Sequence, residues 1–160
     1  MLRPSGGTPS PLAPVTGQPQ DLIRQPGGGL IWSERSGPAP GETGTVKSVS
    51  EGGGQVSVIG SGGSIERLFL DGASLFWTEG GRMGLNQGNG RIVRTSSGGV
   101  DTVVSGIAAD TARLVVTATH AYIADLATIG RVPLSGGGTE TVAEASDRIV
   151  SLATDGAFVY

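Results

Sequence analysis

Gly62 to Trp77 reads GGSIERLFLDGASLFW, and it lies without a gap over Gly17 to Trp32, GQPQDLIRQPGGGLIW, at a step of 45 residues. In that frame Asp21 meets Glu66, Ile23 meets Leu68, Gly27 meets Gly72 and Leu30 meets Leu75. Beyond the tryptophans, Ser33-Glu34 meets Thr78-Glu79. A further step of 46 sets Arg67-Leu68 over Arg113-Leu114, Phe76 over Tyr122 and Glu79 over Asp125. A last copy aligns Asp155-Gly156-Ala157 with Asp71-Gly72-Ala73, and its Tyr160 follows Tyr122 by 38 residues, a shorter unit. Self-similarity at such a period marks stacked supersecondary units, none of which buries its apolar face alone.

A second marker recurs between these anchors. Val46-Lys47, Val93-Arg94 and Gly130-Arg131 each lead into a glycine cluster, at Gly52-Gly53-Gly54, Gly98-Gly99 and Gly136-Gly137-Gly138. Each cluster precedes a short run, Gln55 to Ile59, Asp101 to Val104 or Thr139 to Ala143. The runs are rich in Val, Ile, Thr and aromatics, and no long stretch keeps a helical period, so they read as strands. Asp71-Gly72 and Asp155-Gly156 sit between apolar runs where a tight hairpin needs residues that tolerate positive φ. Thr117-Ala118 fills the same slot in the third copy. Four short strands in units of about 45 residues is the size of one β-propeller blade. The expected fold is therefore all-β, an open or partial propeller of about three and a half four-stranded blades. Residues 1–16 are expected to form a flexible lead-in, and residues 17–160 the array, with units at 17–61, 62–106, 107–146 and a partial 147–160. The first strand of each unit, Leu68-Phe69-Leu70 or Leu114-Val115-Val116, is nearly all apolar, which predicts burial on both faces.

Composition removes several function classes. The chain has 29 glycines, 9 prolines, no cysteine and a net charge of −3. Without cysteine there is neither disulfide nor thiolate metal site. An acidic chain with three Phe, two Tyr and two Trp lacks the basic, aromatic-lined surface of a nucleic-acid binder. No apolar run is long enough to span a membrane, and Leu2-Arg3 is followed at once by Pro4-Ser5-Gly6-Gly7, with no segment of signal-peptide length.

Phe76-Trp77-Thr78-Glu79 resembles the Tyr-Trp-Thr-Asp signature of YWTD-type β-propellers of the LDL-receptor kind. Ile31-Trp32-Ser33-Glu34 and Tyr122-Ile123-Ala124-Asp125 are looser versions. Gly90-Arg91-Ile92-Val93-Arg94 and Ile129-Gly130-Arg131-Val132-Pro133-Leu134 resemble the strand and glycine turn that follow. In style the units are most similar to bacterial glycine-rich propeller repeats. The resemblance spans about residues 17–160 and implies an exported or surface-associated protein. It implies no ligand, since one fold hosts many functions.

The chemical motifs are weak. Gly41-Glu42-Thr43-Gly44-Thr45-Val46-Lys47-Ser48 has the outline of a phosphate loop, but Val46 stands where a glycine must precede the lysine. Gly60-Ser61-Gly62-Gly63-Ser64-Ile65 lacks the third glycine of a dinucleotide turn, and a strand follows it. His120, the single histidine, falls at a turn. Glu34, Glu79 and Asp125 recur one per unit, so they are expected to end strands and accept local hydrogen bonds. Lys47, Arg94 and Arg131 recur likewise and are expected to face solvent or pair with acids. Arg67 and Arg113 share a slot on the expected innermost strand, with Arg24 two positions out of register. Together they form a candidate channel-mouth contact for an anion or carboxylate. An inter-blade ion pair with an acid such as Glu66 or Asp110 is the more ordinary account of them.

The sequence thus points to a non-catalytic binding or scaffold surface, probed by a protein or small anionic ligand and belonging to a larger repeat protein. No catalytic, cofactor or metal residues are assigned. A propeller enzyme, lyase or hydrolase, with its site on the central channel is the alternative. Open strand edges at both ends predict self-association.

Overall fold

The computed structural model describes residues 11–38, 41–80, 90–107 and 113–160. Within them lie twelve strands and no helix, and thus no helix long and apolar enough to cross a membrane. The first sheet contains β1 (Gln18–Arg24), β2 (Leu30–Ser36), β3 (Thr43–Val49) and β4 (Ser57–Gly62). The second contains β5 (Ile65–Asp71), β6 (Ser74–Glu79), β7 (Gly90–Ser96) and β8 (Gly99–Ile107). The third contains β9 (Arg113–Val116), β10 (His120–Asp125), β11 (Thr128–Pro133) and β12 (Glu140–Glu144). Each sheet is an antiparallel meander in which sequence neighbours pair. The chain is all-β and built of three four-stranded sheets.

The turns follow the local chemistry. Asp71 pairs with Ser74 across Gly72-Ala73, and Gly72 takes φ 56°, a value that glycine adopts without a β-carbon clash. The triple glycine between β11 and β12 places Gly136 and Gly137 at φ 90° and 135°. The third unit is shorter because Asp125 pairs directly with Thr128, leaving Leu126-Ala127 as the whole β10–β11 turn. Leu126 takes φ 47° there, where an asparagine or glycine would be less strained.

Successive sheets stack face to face. Leu75 and Trp77 of β6 pack towards the first sheet with Ile31, Val46, Ile65, Leu68 and Val93. Phe76 turns the other way, joining Ile92, Val104, Ile107, Leu114, Val116, Ile123 and Val132 in the cluster shared with the third sheet. Alternation along one strand thus feeds two cores. The first strands lie side by side, β1 against β5 and β5 against β9.

Three expectations are corrected. Burial on both faces falls on β6, whose residues from Leu75 to Glu79 are all buried, and not on β5, where Phe69 and Leu70 stay partly open. The reason is position: β6 lies inside its sheet with a sheet on either side, whereas β5 is its sheet's edge. In β1 Leu22 is 60 % exposed, and only β9 keeps the expected run, with Leu114, Val115 and Val116 all buried. Second, Lys47 and Arg94 are not equivalent, because Lys47 opposes Trp32 whereas Arg94 opposes Phe76. One residue of slip moves a side chain to the other face of its sheet. Third, residues 147–160 form no strand pair beyond a bridge between Thr154 and Val159, closed by Ala153–Tyr160 backbone bonds. Phe158 and Tyr160 remain exposed, and a hairpin with no further strand beside it has little to bury.

Truncating Trp77, which is fully buried, to alanine is expected to cost about 3–5 kcal/mol in urea denaturation. Gly44→Ala is expected to cost about 1–3 kcal/mol, because its β-carbon would run into the backbone of Gly63 and Ile65. A neutral result for either would contradict the stacking of the first two sheets.

Candidate functional site

Two residues apart on a strand means one face, so Trp32 and Glu34 share a side of β2, and Trp77 and Glu79 share a side of β6. Both acids are buried, at 3 % and 2 % exposure. A carboxylate cannot stay there without donors. Trp32 Nε1 donates to Glu34 Oε1 at 2.6 Å, and Lys47 Nζ donates to Oε2 at 2.8 Å. The Thr16 hydroxyl and the Gly17 amide complete the shell of Oε2, at 2.8 and 3.0 Å. In the second sheet Trp77 Nε1 donates to Glu79 Oε1 at 2.8 Å. Arg91 forks onto Oε2 through Nε and Nη2, at 2.8 and 2.6 Å.

Burial alone would raise the Glu34 pKa, but the donors outweigh it. Lys47, then the Trp32 indole and Thr16, pull it down to about 2 from 4.5. Sequence reasoning placed the acids at strand ends but missed both indole contacts and Arg91, fixing on Arg94 instead. The signal was present: a Trp-x-Glu spacing puts indole and acid on one face, and the register pairs Glu79 with Arg91.

Arg67 and Arg113 come together. They line one pocket of about 400 Å³ with Asp21, Leu68, Leu114 and Thr154. Arg113 Nε donates to the Val150 carbonyl at 2.6 Å. Burial, then the neighbouring charges of Arg67 and Arg148, lowers the Arg113 pKa from its ordinary value. The Arg67 Nε–H is buried with no acceptor. Asp21, which carries the pocket's negative charge, spends Oδ2 on the Leu68 amide at 2.9 Å and so ties β1 to β5. Glu66 and Arg113 each have a further partner, and Asp110 lies outside the described residues. Arg24 stands apart, 3.4 Å from Glu51 on an exposed surface.

The remaining motifs have structural employment. Lys47 sits within β3 on Glu34, and Gly62 ends β4 with the Glu79 carboxylate against its α-carbon, where a side chain would collide. His120 opens β10, with Nδ1 2.8 Å from the Thr119 hydroxyl. Arg131 reaches Glu140 at 2.9 Å on the exposed edge of the third sheet. Among the described residues no three His, Asp or Glu side chains gather as a metal site would require.

No protein-family model matches the chain, and no curated protein matches it.

The lowered Glu34 pKa has a pH signature. A carboxylate depressed by folding contributes stability that is full above its unfolded value, 4.5, and is lost as pH falls towards about 2. Glu34→Gln is therefore expected to be less stable than the parent near neutrality by on the order of 3 kcal/mol. Urea titrations in a pH series should show that gap closing between about pH 4.5 and 2. A gap independent of pH would mean that Glu34 is not held as an anion.

Proposed function

We propose that this chain is a non-catalytic array of propeller-type repeats, of the YWTD kind that the signatures resemble, and that it acts as a binding surface. Its three sheets would be successive blades, and the pocket between β5 and β9 would hold a small oxyanion. Face-to-face stacking, with β1, β5 and β9 adjacent, supports the blade reading. One observation carries the ligand reading: two guanidinium side chains from adjacent strands line one pocket, and the Arg67 Nε–H there has no acceptor. A buried donor without a partner costs about 1–3 kcal/mol, and an oxyanion supplies an acceptor and a counter-charge.

The same stacking leaves the outer face of the first sheet with an apolar pocket of about 490 Å³, lined by Leu12, Val15, Leu22, Leu30 and Trp32. The equivalent face of the second sheet is covered by β4, with Gly60 under the Trp77 ring. A second copy of the chain is the occupant we assign to it.

Inorganic phosphate is expected to raise the melting temperature beyond chloride at equal ionic strength, by about 5–10 °C at a hundredfold excess over Kd. Arg67→Gln should abolish that response and leave the free protein as stable or more so, because it relieves the repulsion on Arg113. An equal response to chloride, or an unchanged response in Arg67→Gln, would remove the oxyanion reading. Sedimentation over a roughly hundredfold concentration range is expected to show self-association that Leu22→Glu abolishes. A chain that stays monomeric throughout would remove the assignment of the outer face.

A further inference from the structure

The third sheet departs from the other two at one point of the repeat. In β2 and β6 the buried acid meets an indole two residues earlier and a cation from the adjoining strand, Lys47 for Glu34 and Arg91 for Glu79. In β10 the acid persists as Asp125, but Ile123 stands in the indole position. The register carries the comparison further. Arg91 opposes Glu79, and Thr128 opposes Asp125. Lys47 opposes Trp32, and Gly130 opposes Ile123. Both cation positions are therefore neutral in β11. Its one basic residue, Arg131, opposes Tyr122 on the other face and is bound to Glu140. Among the described residues, no hydrogen bond or ion pair reaches the Asp125 carboxylate.

The space is only partly refilled. Val104 packs with Ile123 at the position where Gly60 lies beneath Trp77. Beside them remains a pocket of about 350 Å³, lined by Ile107, Ile123, Asp125, Thr128, Thr139 and Thr141. Its described lining combines two apolar isoleucines, three threonines and a single carboxylate. Among the described residues Asp125 is the only charged group lining it, so the charge calls for a cation. The two complete copies of the motif show which kind: an N–H donor that hydrogen-bonds the carboxylate.

We infer that the pocket at Asp125 binds the ammonium or guanidinium head of a ligand, in the role that Lys47 and Arg91 fill for the other two acids. Charge-assisted N–H donation to the carboxylate would supply orientation, and the threonine hydroxyls would accept the remaining donors. This site is separate from the Arg67 pocket and stands or falls without it.

The test follows the amide shifts of Thr128, Thr139 and Thr141 by NMR while methylguanidinium or methylammonium is added. Saturable shifts confined to these residues are expected. Tetramethylammonium, with the same charge and no N–H, should give none. Asp125→Asn should weaken binding at least about tenfold, the loss expected for a charge-assisted contact. Thr128→Arg places a guanidinium opposite the acid as Arg91 is placed. It should raise the melting temperature of the free protein and abolish binding. Equal shifts with tetramethylammonium, or a Thr128→Arg protein that still binds, would overturn the assignment. Both measurements decide the matter even if Asp125→Asn fails to fold.

Discussion

A carboxylate buried between sheets is the constraint on which the first two units depend. Glu34 and Glu79 sit almost out of water, where an ionised group is tolerable only if nearly every lone pair is engaged. The donors come from up to three places in the sequence. The indole is fixed by strand alternation, and the lysine or arginine by the register of the next strand. The rest, at Glu34, comes from Thr16 and Gly17 just before β1, while at Glu79 the backbone of Gly62 approaches the carboxylate closely. A register slip in β3 or β7 would carry Lys47 or Arg91 to the wrong face and strand the acid. Each acid therefore pins both pairing within its sheet and docking onto the segment before it, which is what a stacked repeat requires and an isolated sheet does not.

The same coupling explains how the sheets share their cores. Leu75 and Trp77 face one neighbour while Phe76 faces the other, so β6 belongs to two interfaces. Size is traded across each interface. Where the ring is Trp77, the strand before it offers Gly60; where the side chain is Ile123, it offers Val104. Interiors at crystal-like density permit few other solutions, since a large ring against a valine would be overpacked.

Much of this was legible in the sequence. Period, strand content and the four-strand unit follow from the step of 45, the β-branched runs and the glycine clusters, because those signals are local. The strand-end positions of Glu79 and Asp125 were legible for the same reason, whereas Glu34 lies inside β2, two residues before its end. The identity of their partners was not legible. Lys47, Arg94 and Arg131 look alike in a linear alignment, yet the strand pairings set Lys47 opposite Trp32, Arg94 opposite Phe76 and Arg91 opposite Glu79. Arg91 was missed because that register is not carried by the local sequence. Arg67 and Arg113 were identified because the repeat puts them in one slot, but the missing acceptor at Arg67 Nε is a matter of packing that spacing does not encode. The partial fourth unit expected at 147–160 forms only the Thr154–Val159 bridge, because an Asp-Gly turn specifies a hairpin, not the neighbours that would stabilise one.

Repetition also says where binding chemistry belongs. In a regular repeat each polar group meets its partner from the next strand or the next unit, and a satisfied surface has little left to offer a ligand. Chemistry concentrates where the regularity lapses. At the first strands, arginine follows arginine from β5 to β9, so two guanidinium groups line one pocket and the Arg67 Nε–H there is left without an acceptor. At β10 the acid is kept while its indole and cation are lost. The two lapses have opposite sign and lie on different parts of the third sheet's interface with the second. One asks for an acceptor, the other for a donor. Both proposed sites thus follow from a single rule: a charged group that the repeat places and the repeat does not satisfy must be met from outside the chain or carried as a cost to folding.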